Sequence, residues 1–146
     1  MTTKYYDPKK KLDAQTITAT TNFLFQHLGE YGDTITAIKK AIDYSIADRP
    51  SDGGFIILAI EDEQIVGATV INKTGMDEYI PANILVYIAT HKDYRGKGIG
   101  KTLIKEAIER CKGGIALHVE PDNPAKFMYE KLGFENKYLE YRLWNN

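Results

Sequence analysis

The chain has 146 residues, the size of one ordinary domain, and its 19 basic and 20 acidic residues give a net charge of −1. A balance so close to zero excludes bulk electrostatic attraction to nucleic acid or to an anionic membrane. One cysteine cannot form an internal disulfide, and three histidines that are well separated in sequence do not suggest a metal site. The N-terminus is polar, and no run approaches the roughly 18 apolar residues of a membrane span. We therefore expect one cytoplasmic domain over residues 1–146, with no metal, nucleic-acid or membrane partner.

The first half of the chain predicts two helices followed by a β-hairpin. Residues 13–28 carry spaced apolar side chains and end at Gly29, which is typical of a helix with a glycine stop. A second helix is expected after Asp33 as N-cap, because isoleucines follow at spacings of three and four until Arg49-Pro50. The hairpin is predicted from two β-rich runs and an acidic turn, at residues 55–60, 64–71 and 61–63.

The second half alternates strands and helices. The run ILVYIAT, residues 84–90, is too continuously apolar for a half-exposed strand and predicts a central one. The further predicted elements are a helix from Ile99 to Cys111 ended by Gly113-Gly114, a strand over 115–119, a helix over 124–132, and one or two strands within 134–144. The order ααβββαβαβ(β) indicates an α/β fold with an antiparallel first half and a later crossover.

Three glycines interrupt basic residues between the central strand and its helix, in the stretch HKDYRGKGIGK. Glycines at this place let backbone N–H groups converge on an anion, and the positive end of the helix favours a phosphate. The cations expected around it are Arg95, Lys97, Lys101 and also Lys92.

Three phosphate-binding patterns compete for this stretch. A nucleotide P-loop demands glycine where Arg95 stands, and the dinucleotide fingerprint demands glycine where Lys101 or Leu103 stands. The remaining pattern, R-x-x-G-x-G, is satisfied by Arg95, Gly98 and Gly100.

At this motif the sequence resembles the GNAT superfamily of N-acetyltransferases, whose pyrophosphate-binding loop has that signature. A second similarity is DNPAKFMYEKLGF, residues 122–134, in which Ala125, Tyr129 and Gly133-Phe134 stand at the family's spacing. One departure is Asp122, where the family commonly has asparagine, with Asn123 next to it. The resemblance covers residues 84–134 closely and implies a single-domain GNAT-like mixed sheet with acetyl-coenzyme A as cosubstrate.

The resemblance also implies how the coenzyme would be bound. A bulge in the central strand at Ile88 to Thr90 would leave backbone amides unpaired for the thioester carbonyl and the pantetheine arm. The expected coenzyme-binding residues are Ile88, Ala89, Thr90, Arg95, Gly96, Lys97, Gly98, Ile99, Gly100, Lys101 and Asn123.

Tyr129, at the family's matching position, is the expected general acid for the departing thiolate. A phenol of pKa near 10 can protonate a thiolate of pKa near 8.5 at a cost of about 2 kcal/mol. A lysine-like ammonium is neutral only about four times in ten thousand at pH 7, so a base is desirable. His118 and Glu120, which alternate onto one face of the strand over 115–119 and its exit, and Glu78 are the candidates left open.

The leading hypothesis is an acetyl-CoA-dependent N-acetyltransferase that acts on a primary amine of a small molecule or peptide. Cys111 lies on an apolar helical stripe, so we expect a core residue and direct transfer in a ternary complex. Acidic Asp77 and Glu78 favour a cationic amine. The alternatives are a small nucleotide-phosphate-binding kinase and a catalytically silent CoA-binding module.

The C-terminal tail carries the aromatic residues Tyr138, Tyr141 and Trp144. We expect these side chains to pack within the protein, and tail strands that carry them could pair across a homodimer.

Overall fold

A five-stranded mixed sheet with helices on both faces organises the chain in the computed structural model, which describes residues 1–47 and 53–145. The strands lie in sequence order; β1 to β4 are antiparallel and β5 joins β4 in parallel. No helix in the described part of the chain is long and apolar enough to cross a membrane. The elements are β1 (Thr2–Tyr6), α1 (Ala14–Leu28), α2 (Ile35–Ser45), β2 (Gly54–Glu61), β3 (Gln64–Lys73), β4 (Asn83–Thr90), α3 (Ile99–Arg110), β5 (Ile115–Leu117) and α4 (Ala125–Lys131), with 3-10 turns at Gly29–Tyr31 and Lys92–Tyr94.

Both faces of the central strands are buried, which explains their nearly continuous apolar sequences. Ile56 and Leu58 of β2 pack with residues of α1 and α2, whereas Phe55 and Ile57 pack with residues of α3 and α4. Each aliphatic side chain so buried contributes about 1.5 to 3 kcal/mol of transfer free energy. The predicted α/β fold with an antiparallel first half is confirmed.

The predicted hairpin is present, and its turn contains Asp62 at φ 50° and Glu63 at φ 64°. Two consecutive left-handed residues are the geometry of a type I′ turn, whose twist matches that of the flanking strands.

The predicted first helix is present, and Asp13 caps it by accepting a hydrogen bond from the Thr16 amide at 2.7 Å. The second helix is capped by Thr34, whose hydroxyl accepts from the Ala37 amide at 3.1 Å, and the prediction of Asp33 as its N-cap is wrong. The Asp33 carboxylate is engaged elsewhere, because it accepts from the Thr34 amide and from the Tyr87 hydroxyl. The predicted helix end at Arg49-Pro50 lies outside the described residues.

Sequence reasoning missed strand β1, which pairs with β2 over five residues. Its alternation of exposed and half-buried positions is weak because it forms the edge of the sheet. Two contacts hold it to α3: the Thr3 hydroxyl donates to the Glu106 carboxylate at 2.8 Å, and the Arg110 guanidinium lies 3.9 Å from the Tyr5 ring centroid.

The predicted C-terminal strands are wrong, since the structure has no strand within residues 134–145. Tyr138, Tyr141 and Trp144 are 77%, 89% and 79% exposed, so the expected packing of these aromatics is also absent. Glu140 and Arg142 pair with each other, and every residue from 135 to 145 is exposed. Although Leu139, Tyr141 and Leu143 alternate with charged residues as in a strand, this segment has no described neighbouring strand to pair with.

Candidate active site

Strands β4 and β5 separate after a short paired region. Asn83 to Leu85 pair with Ile115 to Leu117, and beyond Leu85 strand β4 is paired with β3 alone. The His91 amide donates to the Val66 carbonyl at 2.8 Å. By the alternation of an antiparallel ladder, the amides of Ile88 and Thr90 then point away from β3. They face the gap between β4 and the chain that leaves β5, hereafter the β4–β5 gap.

The bulge expected at Ile88 to Thr90 is not at that position. The register shifts where Val70 pairs with Tyr87 and Ile71 with Leu85, so the extra residue of β4 is Val86. The residues from Ile88 to Thr90 pair regularly with β3. Because β5 ends at Leu117, the outward amides of Ile88 and Thr90 have no strand partner among the described residues. The early end of β5, and not a bulge, therefore leaves these amides unpaired by the sheet.

The glycine loop leads from the end of β4 into the first turn of α3. Gly96 and Gly98 have φ angles of 81° and 80°, which L side chains rarely adopt, and open space surrounds the position of a β-carbon at both. Gly98 is the N-cap of α3, and no described side chain caps this helix. The first-turn amides are therefore exposed to an incoming anion.

Gly100, in the first turn of α3, lies close to residues of β4 and α4. A β-carbon on Gly100 would lie 3.6 Å from the Thr90 hydroxyl and 3.8 Å from the Met128 methyl group. The end of β4, the start of α3 and helix α4 therefore meet at one place. Ile99 is 5% exposed and packs in the core, so only its backbone is available to a ligand.

The predicted phosphate-binding cations have different environments. The Arg95 guanidinium donates to the His27 carbonyl at 3.1 Å, which ties the loop to the end of α1. Lys97 holds its ammonium 5.0 Å from the centroid of the Tyr94 ring. Lys92 and Lys101 are exposed beside the glycines. Together these four residues make the loop locally basic in a chain whose net charge is −1.

Tyr129 lies on α4 and is only 8% exposed. It belongs to the core cluster on the α3 side of the sheet, against which Ile88 of β4 and Leu117 of β5 also pack. A phenol is protonated at neutral pH, and burial raises the pKa of Tyr129 further, so the hydroxyl is a proton donor that releases its proton less readily than a free phenol does.

Asn123 lies two residues before the start of helix α4. Its side-chain oxygen accepts a hydrogen bond from the Ala125 amide at 2.9 Å, which leaves the side-chain NH₂ group as the part available to a ligand. Ala89, also a predicted coenzyme residue, has its side chain buried against the α1–α2 side of the sheet.

The candidate bases lie outside regular structure. Strand β5 ends at Leu117, so His118 and Glu120 follow it as exposed residues at the mouth of the β4–β5 gap. Glu78, with Asp77, lies in the loop that precedes Asn83, at the end of β4 opposite to the glycine loop. With about 3.3 Å per strand residue, this loop is about 23 Å from Thr90, so the structure does not bring Glu78 to the glycine loop.

Two tyrosines that sequence reasoning missed line the other side of this region. The Tyr31 hydroxyl donates to the Asp122 carbonyl at 3.3 Å, and the Tyr87 hydroxyl donates to the Asp33 carboxylate at 2.9 Å. Burial first, and then the Asp33 carboxylate, raises the pKa of Tyr87. The sequence did contain a signal for Tyr87, which is a tyrosine in an otherwise aliphatic strand. Because a buried phenol needs a hydrogen-bond partner, such a residue predicts a polar group beside it.

Carboxylates surround the Tyr31 hydroxyl. Its pKa is raised by desolvation first and then by the negative charges of Asp122, Glu30 and Glu120. The connection between α1 and α2 and the loop before α4 thus form an acidic border at the mouth of the gap.

Cys111 is remote from this region. It follows the last turn of α3, and twelve helical residues span about 18 Å from the glycine loop. Burial raises the pKa of the Cys111 thiol to about 11, so it is protonated at neutral pH. The prediction of a packed, unreactive cysteine agrees with this environment.

The family comparison gives one class for this chain, the acetyltransferases. A family model described as "Acetyltransferase (GNAT) domain" matches residues 52–136, more than half of the chain. The chain therefore belongs to the GNAT acetyltransferase family, which confirms the resemblance and is inconsistent with the kinase alternative.

Curated relatives include N-acetyltransferases, and solved structures share the fold. The [Ribosomal protein bS18]-alanine N-acetyltransferase of Haemophilus influenzae is 37% identical over 79 residues, covering 51% of each chain. N-alpha-acetyltransferase 30 of Schizosaccharomyces pombe is 28% identical over 97 residues, covering 63% of this chain and 65% of that protein. The matches span between 7% and 65% of the length of the curated relatives. The fold of an aminoglycoside 6′-N-acetyltransferase from Acinetobacter haemolyticus superposes with a TM-score of 0.70 at 16% identity, covering 100% of this chain and 99% of that one.

Proposed function

We propose that this chain is an N-acetyltransferase that transfers the acetyl group of acetyl-CoA directly to a primary amine. The observation that carries the proposal is the open, uncapped start of α3 at Gly98, next to the gap that begins where β5 leaves β4. Amides that point into such a space can bind a diphosphate and a thioester carbonyl without displacing protein groups.

The described residues fit a coenzyme that is anionic at one end and reactive at the other. Gly96 and Gly98 would approach the diphosphate through their backbone, with Lys92 and Lys101 adding charge. The amides of Ile88 and Thr90 would donate to the pantetheine arm and to the thioester oxygen. Acetyl-CoA supplies the activated acyl group, and the protein holds its carbonyl polarised.

Tyr129 is the proposed general acid. The phenol is protonated at neutral pH, and Tyr129 belongs to the core cluster against which Ile88 and Leu117 pack, which supports a role at the sulfur that leaves the acetyl carbon. Attack by a neutral amine breaks the bond from carbon to sulfur, and the phenol proton goes to the sulfur as the thiol forms. Cys111 takes no part, because it lies about 18 Å along α3 from the loop.

The acceptor is proposed to be the α-amino group of a peptide or protein. Two relatives, at 37% and 28% identity, are named for acetylation of N-terminal or alanine amines, whereas the aminoglycoside enzyme shares the fold alone. An α-amino group has a pKa near 7.7 to 8, so its deprotonation at pH 7 costs only about 1 kcal/mol, against about 4.6 for lysine. The acidic border of Glu30, Glu120 and Asp122 favours approach of a cationic amine.

His118 and Glu120 are both kept as the proposed base. Each is exposed at the mouth of the gap, on the side where the α1–α2 connection approaches, and each could accept the proton through one water molecule. Single substitutions separate them: only the variant that lacks the true base should show a large fall in kcat.

The experiment combines coenzyme binding and turnover on the purified chain. Acetyl-CoA should raise the melting temperature, and thiol release should follow addition of a peptide with a free N-terminus. Two control acceptors lack a free peptide N-terminus. One is the same peptide with a blocked N-terminus and one internal lysine, and the other is an aminoglycoside. Turnover of only these acceptors would overturn the α-amine assignment, and absence of any coenzyme binding would overturn the function itself. Binding without turnover on any amine would favour the catalytically silent module.

The homodimer expected from the tail aromatics stays a prediction. The exposure of Tyr138, Tyr141 and Trp144 leaves them accessible to a second copy. Sedimentation velocity over a hundredfold concentration range tests it, and a single monomer peak throughout would contradict it.

A further inference from the structure

We propose that neutral His27, on α1, is a positioning residue that holds the glycine loop in the conformation that binds the coenzyme diphosphate. This inference rests on the proposed function of that loop. His27 lies on the helix that covers the opposite face of the sheet from α3, and sequence reasoning assigned it no role.

Two hydrogen bonds connect residue 27 to the segment just before Gly96. The Lys92 amide donates to Nδ1 of His27 at 3.2 Å, and the Arg95 guanidinium donates to the His27 carbonyl at 3.1 Å. Lys92 is the first residue of the 3-10 turn at Lys92–Tyr94 and Arg95 follows its last, so one residue of α1 fixes both ends of that turn. The position of Gly96 and the direction of the following amides depend on where this turn ends.

The imidazole of His27 is enclosed. It is 6% exposed, and its ring centroid lies 4.7 Å from that of Phe23 and 4.2 Å from that of His91. His91 in turn accepts from the Asp93 amide through its own Nδ1 at 3.1 Å. Each ring therefore uses the lone pair on Nδ1 to fix a backbone amide of the turn, with the proton of the neutral form on Nε2.

The charges around the ring favour this neutral form. The groups that face His27 are His91, Lys92, Asp93 and Arg95, all on the turn, and three of these carry or can acquire positive charge. Burial first, and then His91, Arg95 and Lys92, lowers the pKa of His27, whereas Asp93 opposes them. A proton on Nδ1 would remove the acceptor that holds the Lys92 amide and place a cation against the His91 ring.

The test compares His27→Asn with His27→Phe. The asparagine side-chain oxygen can take the place of Nδ1 and does not titrate, whereas phenylalanine keeps the ring contact but has no acceptor. Gln26→Ala, an exposed neighbour on α1, is the matched control. Acetyl-CoA affinity is measured by calorimetry from pH 5.5 to 8, and KM and kcat are measured at pH 7.5.

At pH 7.5 we expect His27→Phe to weaken acetyl-CoA binding about fivefold, the effect of one lost neutral hydrogen bond, through KM rather than kcat. We expect His27→Asn and Gln26→Ala to bind as the wild type does. At a pH below the midpoint at which the His27 ring titrates by NMR, the wild type should bind more weakly than His27→Asn, and comparing the two proteins at one pH cancels titration of the coenzyme phosphates. Equal binding by His27→Phe and the wild type at pH 7.5, or equal binding by the wild type and His27→Asn below that midpoint, would overturn the inference while leaving the proposed function intact.

Failure of the wild type to bind acetyl-CoA at any pH would instead overturn the proposed function. If His27→Phe does not fold, NMR of the wild type provides the decisive measurement. The Lys92 amide resonance should titrate with the same midpoint as the His27 ring, and a Lys92 resonance that does not change over that range would overturn the inference.

Discussion

The side chain of Ile99 fills the space that a β-carbon on Gly67 would need. Such a carbon would lie 2.7 Å from Ile99 Cγ2 and 3.0 Å from Leu103 Cδ1, closer than packed side chains allow. Gly67 pairs with Thr90, the last residue of β4. Because residue 67 has no side chain, α3 packs close to the sheet where the glycine loop begins.

We therefore expect Gly67→Ala to displace the first turn of α3. Overpacking of this kind costs about 1 to 3 kcal/mol of the free energy of unfolding, and the displaced amides should bind acetyl-CoA less tightly. Urea unfolding and calorimetry measure the two effects. Gly114→Ala is the control, because its β-carbon would meet Pro81 at an ordinary 3.5 Å. Equal urea midpoints for Gly67→Ala and the wild type would contradict the packing argument.

Gly98→Ala, compared with Gly75→Ala, should distinguish the loss of stability caused by a positive φ angle from a loss of coenzyme binding. Both Gly98 and Gly75 have φ near 80°, so alanine at either should cost about 1 kcal/mol of stability. Only Gly98→Ala should also weaken acetyl-CoA binding, because Gly75 lies in the loop before β4, at the opposite end of that strand from the start of α3. Comparable loss of affinity in both variants would show that the effect reflects global destabilisation.

Tyr129→Phe removes the proposed proton donor and keeps the ring in the core. We expect kcat to fall by about 10²-fold or more with little change in the KM for acetyl-CoA, as for loss of a general acid. Steady-state kinetics measure this, and Tyr138→Phe, at an exposed tail residue, is the control. An unchanged kcat would remove the phenol from the mechanism.

The pH dependence of stability should report His27. Its pKa is lowered in the folded state from an ordinary value of 6.5, so the unfolded chain binds more protons as the pH falls below that value. The free energy of unfolding is therefore unaffected above pH 6.5 and decreases as the pH falls through the window below it, until the folded-state pKa is passed. Urea titrations from pH 5 to 8 should show a smaller decrease in the free energy of unfolding at acid pH for His27→Asn than for the wild type. If the free energy of unfolding depends on pH equally in the two proteins, groups other than His27 determine that dependence.

Cys111 should be slow to react and unnecessary for turnover. With a pKa near 11 only about one thiol in ten thousand is ionised at pH 7, and the thiolate is the reactive form. We expect a disulfide reagent to label the native chain far more slowly than the urea-unfolded chain, and Cys111→Ala to keep kcat within about twofold. An acetylated Cys111 detected by mass spectrometry during turnover would contradict direct transfer.

Local sequence patterns predicted the features that depend on neighbouring residues. Glycine spacing located the turn of α3, and periodicity located the helices, because these signals arise within a few residues. His27 was not predictable as a partner of Lys92, since 65 positions separate them and only the packing of α1 against the sheet joins them. Strand β1 was missed for a related reason: a five-residue edge strand depends on its neighbour β2 more than on its own pattern.

Because β5 ends early, hydrogen exchange at the amides of Ile88 and Thr90 can report coenzyme binding. Ile88 and Thr90 lie within a well-packed strand, but their outward amides have no neighbouring strand to shield them from solvent deuterium. In the free protein we expect these two sites to exchange faster than Ala89 between them, which the ladder with β3 protects. Added acetyl-CoA should slow exchange at both sites, and an unreactive thioether analogue should have the same effect.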